Sequence, residues 1–102
     1  MSRFEYIKWY WNHKNNEMPV LLFYEIDLEN ARYATRMTEV FADKRAVPVR
    51  EEGFDYITEE PVPTIEEINK EDPAFFAEII SKETFEQVYA SETYAGDIRF
   101  PV

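Results

Sequence analysis

Three kinds of residue in this chain could carry chemistry: a single histidine, several adjacent pairs of glutamates, and a dense set of aromatic rings. His13 lies in a polar stretch, His13-Lys14-Asn15-Asn16-Glu17. A lone histidine there serves hydrogen bonding more often than general-base catalysis. Cysteine is absent, so thiolate chemistry and disulfides are excluded. No serine stands in a Gly-x-Ser-x-Gly elbow, and the only two glycines, Gly53 and Gly96, make no phosphate-cradling loop. A zinc site needs three or four converging ligands, and no Asp-x-Asp-x-Asp-Gly run offers a calcium loop. The expectation is a protein that is not an enzyme and holds neither metal nor cofactor.

The glutamate pairs are Glu51-Glu52, Glu59-Glu60 and Glu66-Glu67. Paired carboxylates can bind a divalent cation or act as acid and base, but most charge runs are solvated faces. For Glu66 and Glu67 a helix N-terminus explains the charge, and Glu83 after Ser81 has the same explanation. The distribution of charge is more telling. Lys plus Arg number 11 and Asp plus Glu 21, a net of −10. Residues 1–49 hold seven of each sign, whereas residues 50–86 hold twelve acidic side chains against Arg50, Lys70 and Lys82, a net of −9. Such a half repels a nucleic-acid backbone and steers a basic protein toward itself. The expected partner contacts are therefore Glu51, Glu52, Asp55, Glu59, Glu60, Glu66 and Glu67, with Phe54 and Tyr56 as aromatic anchors. The aromatics Tyr6, Tyr10, Phe23 and Tyr33 could stack bases on a sheet, but few cations accompany them and core packing is the better reading.

These residues must be positioned by a sheet. Pro19 to Phe41 reads as two long strands joined by a turn at Glu29-Asn30. Val20, Leu22, Tyr24, Ile26 and Leu28 share one face. The other face, Leu21, Phe23, Glu25 and Asp27, begins apolar and ends charged, which predicts a strand end in water. The return strand alternates Tyr33, Thr35, Met37 and Glu39 against Arg32, Ala34, Arg36 and Thr38, predicting one packed and one partly wet sheet face. Arg3 to Trp11 reads as a strand with Trp9 and Trp11 on one face, their indole N–H groups needing partners. A turn at Asp43-Lys44 leads to a short strand, Arg45 to Val49, which Pro48 marks as an edge. Phe54 to Ile57 suits one more short strand. Pro61 and Pro63 stiffen a connector, and Thr64 with Glu67 has capping-box spacing before Ile65 and Ile68. Phe75, Phe76, Ile79 and Ile80 form an apolar cover whose shape the pattern leaves open, an extended segment being one reading. Ser81 caps a second helix from Lys82 to about Ser91 with Phe85, Val88 and Tyr89 on one stripe.

The fold class expected is α+β, an antiparallel sheet of about four to five strands with two short helices in the C-terminal half. It forms one domain over 1–102: mainly sheet over 1–58, connector and helices over 59–95, tail over 96–102. Aromatics at 17% are too many for a disordered acidic tail. The N-terminus lacks the apolar core of a secretory signal, and no run approaches the roughly 20 apolar residues of a membrane span. With the absent cysteines this fits a cytoplasmic protein.

Tyr6-Ile7-Lys8-Trp9-Tyr10-Trp11-Asn12-His13, Pro19 through Tyr24-Glu25, and Glu39-Val40-Phe41-Ala42-Asp43 together resemble a small bacterial domain of unknown function. Its pattern is a Tyr-Ile-x-x-x-Trp-x-His strand, a Pro-led second strand and a Val-Phe-x-Asp turn. The later stretches Thr64–Ile68 and Ile80–Glu86 resemble the same pattern, while Asp43-Lys44 replaces its usual Asp-Gly. In size and acidity the chain is also similar to immunity proteins of contact-dependent growth inhibition systems. That resemblance implies a monomeric inhibitor of a basic toxin, of nuclease type, acting by stoichiometric occlusion. Two other readings are a regulatory adaptor or DNA mimic bound to another basic protein, and a metal-dependent hydrolase using clustered carboxylates.

Overall fold

In the computed structural model, residues 3–49, 57–58 and 60–101 are described. Strands β1 (Phe4–Trp11), β2 (Leu21–Asp27), β3 (Tyr33–Val40) and β4 (Ala46–Val49) form an antiparallel meander. Helix α1 (Ile65–Glu71) follows, then β5 (Phe75–Ile79) and helix α2 (Lys82–Tyr89). The sheet order is β4-β3-β2-β1-β5. The apolar stretch at Phe75 is thus a fifth strand, antiparallel to β1. The expected strand at Phe54 lies outside the described residues except for Ile57.

Both faces of the sheet are covered, which corrects the expectation of a wet face. On one side Ile7, Tyr24, Ile26 and Ala77 pack with Val62 and with Ile68 of α1. On the other, Tyr6, Tyr10, Leu21, Phe23 and Val40 pack with Phe85 and Val88 of α2, and Ile98 and Phe100 of the tail lie against them. Tyr6, Tyr10 and Phe23 are core residues as expected. Burial of each large apolar side chain contributes about 1.5–3 kcal/mol, so a central strand apolar on both faces fixes the three-layer arrangement.

The β2–β3 connection also departs from expectation. The left-handed residues are Ala31 and Arg32, φ 56° and 63°, in a five-residue turn. Asn30 instead donates its side-chain N–H to Asp27 Oδ2 at 2.8 Å. Between Glu25 and Ile26 the register against β3 shifts: Glu25 faces Arg36 but Ile26 faces Ala34. Thr35 is the extra residue of a β-bulge. The bulge moves Tyr33 onto the α2 face opposite Asp27, where unbroken alternation places it with Met37.

Glu25 and Asp27 therefore do not end in water; they are 6% and 1% exposed. Asp27 accepts from Arg3 at 2.9 and 3.2 Å and from the Glu29 N–H at 3.0 Å. These bonds, Arg3 first, hold its carboxyl down at about 2.

Both sheet edges are closed. At β4, Ala46 donates its outward N–H to the Glu92 carbonyl and Thr93 bridges Arg45. Two residues on, Pro48 faces the same way by alternation and has no N–H to offer. At β5 the side chain of Asn69, on α1, accepts from Ala77 N–H at 2.7 Å and donates to Ala77 C=O at 3.2 Å, taking the place of a neighbouring strand. Asn69→Ala leaves both groups unpaired. It is expected to lower stability by about 1–3 kcal/mol in urea unfolding and to raise the aggregation rate.

Candidate partner interface

The acidic connector is stitched to the open half of β3, beyond the reach of β4. Ile57 donates to Ala34 C=O at 2.9 Å, and Ala34 donates back to Thr58 Oγ1 at 3.0 Å. Val62 N–H reaches Arg32 C=O at 2.9 Å, and Val62, 4% exposed, plugs the core. The Arg32 side chain donates to Val62 C=O at 2.9 Å, Pro63 C=O at 3.1 Å and Glu5 at 3.0 Å. The two prolines leave carbonyls without competing local N–H donors, and a guanidinium fork gathers them.

This anchoring sets the path into α1. Thr64 accepts from Glu67 N–H at 3.2 Å, and Glu67 accepts from Thr64 N–H at 3.0 Å, completing the predicted capping box. The backbone bond from Thr64, chiefly, lowers the Glu67 pKa. Glu67 is thus committed to the cap, whereas Glu60 and Glu66 stand exposed on either side of the connector. Glu60 borders a cleft of about 380 Å³ with Trp9, Tyr24, Thr58 and Pro61–Pro63. Glu66 borders a depression of about 470 Å³ with Ile65, Arg32 and Ile79, and Ile79 is 61% exposed.

Of the nine expected contact residues, Glu51, Glu52, Phe54, Asp55, Tyr56 and Glu59 lie outside the described residues. The structure places Glu60 beside the connector cleft and Glu66 and Glu67 in the first turn of α1, to which Glu71 and Asp72 at its far end add two exposed carboxylates. Trp9 and Tyr24 line the cleft beside Glu60, and Glu39 acts on Tyr24 through its charge; none of the three is among the expected contacts. Trp9 Nε1 is buried without a hydrogen-bond partner among the described residues. Glu39 is half-buried, and its pKa is raised by that burial. Glu39 stands in a strand between buried Thr38 and Val40, a carboxylate that alternation turns onto the α1 face; that pattern was the available signal.

The cations follow the opposite rule. Arg36 lies bidentate on Glu25, 2.6 and 3.0 Å, and also pairs with Glu86 of α2. Arg3 pairs with Asp27 and Glu29, Arg32 with Glu5, and Arg99 with Asp97. Lys8, 8% exposed, donates to Tyr94 Oη at 2.8 Å and lies 4.5 Å from the Tyr10 ring centre. Arg3, Arg32, Arg36 and this lysine tie distant parts of the fold together, while Glu60, Glu66, Glu71 and Glu83 have no ion-pair partner among the described residues.

His13 is similarly committed: Nε2 donates to Pro19 C=O at 2.7 Å and Nδ1 accepts from Asn15 N–H at 3.0 Å, with its ring edge-on to Trp11. It shapes the β1–β2 loop. Among the described residues no three His, Asp or Glu side chains are placed to share a metal ion, and no helix is long and apolar enough to cross a membrane.

No curated protein and no solved structure matches the chain. A family profile does, over residues 5–94, which takes in every strand and both helices. The chain, with Arg36 and Arg3 turned onto buried carboxylates and Glu60, Glu66 and Glu71 turned outward, belongs to DUF6881, a domain of unknown function.

Proposed function

We propose that this domain is a binding protein of immunity type that neutralises a basic toxin, of nuclease class, by stoichiometric occlusion. One observation carries the reading: Arg3, Arg32, Arg36 and Arg99 are each taken up in an internal ion pair, while Glu60, Glu66 and Glu71 stand exposed with no ion-pair partner among the described residues. A fold that segregates charge this way bears self-repulsion that a cationic surface relieves. Exposed Ile79 and half-buried Ile65 supply apolar contact beside Glu66, the mixture an interface core and rim require. With both sheet edges closed, side chains rather than strand addition make the contact.

The test is an affinity pull-down from the native host with tagged protein as bait and mass spectrometry as readout. A stoichiometric basic protein whose nuclease activity is abolished by the bait is the expected result. Recovery of only the bait overturns the proposal.

A further inference from the structure

The cleft between the sheet and the connector has a composition that occurs elsewhere in this fold with a cation in place. Arg36 lies 5.0 Å from the ring centres of both Phe85 and Tyr89, and its charge is met by Glu25 and Glu86. Arg45 covers Phe41 and Lys8 covers Tyr10 in the same manner. At the cleft, Trp9 and Tyr24 lie 6.1 Å apart, Pro61 and Pro63 line it, and Glu60 stands exposed at its border. Rings and a carboxylate are present, but among the described residues neither Trp9 nor Tyr24 has a cation over it. The volume, about 380 Å³, is within the range of sites that hold small groups.

A second carboxylate bears on the same place. Glu39 has neither an ion pair nor a hydrogen bond among the described residues, although it is half-buried. It is close enough to Tyr24 for its charge to add to the effect of burial, which together push the phenol up to about 12. A half-buried carboxylate without a partner is costly and favours an incoming cation.

Resting on the basic-partner reading, we infer that this cleft is the anchor pocket for an arginine side chain of the partner, stacked on Trp9 and Tyr24 and paired with Glu60. Arginine fits better than lysine because its planar guanidinium stacks on rings and is weakly hydrated.

The probe is acetylated, amidated tetra-arginine titrated into the ¹⁵N-labelled protein, with tetra-citrulline as the neutral isostere. The chain has two tryptophans, Trp9 and Trp11, and Trp9→Phe assigns their indole signals. The Trp9 indole signal is expected to shift saturably with tetra-arginine and not with tetra-citrulline. Glu60→Gln is expected to weaken binding roughly fivefold. A Trp9 signal that stays still while α1 amides shift overturns the pocket and leaves the acidic flank as the partner surface. Equal shifts with both peptides, or full affinity in Glu60→Gln, also overturn it. No shift anywhere overturns the pocket and counts against the basic partner as well.

Discussion

Arg36→Ala is expected to destabilise the domain by about 3–5 kcal/mol, because it strands the buried Glu25 carboxylate. Glu25 is 6% exposed and takes bonds from Arg36, from Thr35 Oγ1 at 2.6 Å and from Tyr6 Oη at 2.7 Å. Burial alone would raise its pKa, but Arg36, then Thr35 and Tyr6, outweigh it and lower the group from 4.5 to about 2. The folded value lies below the unfolded one, so the stabilisation is full above about pH 4.5 and is lost as the pH falls through about 2. A shift of that size corresponds to about 3 kcal/mol. Urea unfolding followed by circular dichroism between pH 7 and pH 2 checks it: the gap between wild type and Arg36→Ala should narrow on acidification. A gap that stays constant with pH would show that Arg36 acts through its packing on Phe85 and Tyr89 alone.

That network shows which parts of the fold are legible in a sequence. Local chemistry was: the Thr64–Glu67 capping box, Ser81 accepting from Thr84 N–H at 3.1 Å, Lys44 with φ 69° at the Asp43-Lys44 turn, and Pro48 on an edge strand are all as expected. Each depends on a few adjacent residues with one dominant conformation. The five-stranded α+β architecture follows from the alternating strands and the two helices. The wet-face reading failed because it priced Glu25, Asp27 and Arg36 as solvated charges. Their partners are distant in sequence: Arg3 lies 24 residues from Asp27 and Glu86 lies 50 from Arg36. The bulge at Thr35 was invisible for a related reason, since an extra residue leaves the hydrophobic alternation intact on each side of it. Phe75–Ile80 was ambiguous because its apolar positions satisfy both a strand and an i, i+4 helix pattern. For the candidate interface the charge segregation was legible, but not that Trp9 and Tyr24 meet Glu60 beside a cleft, which needs β1, β2 and the connector brought together.

Charge reversal on the α1 flank has the largest effect expected on function. Glu60, Glu66 and Glu71 are exposed and make no ion pair among the described residues, so changing all three to lysine takes the net charge from −10 to −4 without touching the core. Folding should hardly respond. Glu66→Lys opposes the helix dipole in the first turn and Glu71→Lys complements it in the last, so two effects of about 0.3–1 kcal/mol nearly cancel. Association with the basic partner recovered by pull-down should slow by about 10- to 100-fold at low ionic strength, and by less at 0.5 M salt, where the screening length falls below about 5 Å. Dissociation should change little unless the Glu60 pocket is engaged, which separates steering from anchoring: Glu66→Lys/Glu71→Lys alone should alter only the on-rate, and adding Glu60→Lys should raise the off-rate too. Stopped-flow association across a salt series, with thermal unfolding of the free variants alongside, measures both. An on-rate and salt slope identical to wild type would place the partner's contact elsewhere on the molecule and reduce the acidic flank to a feature of solubility.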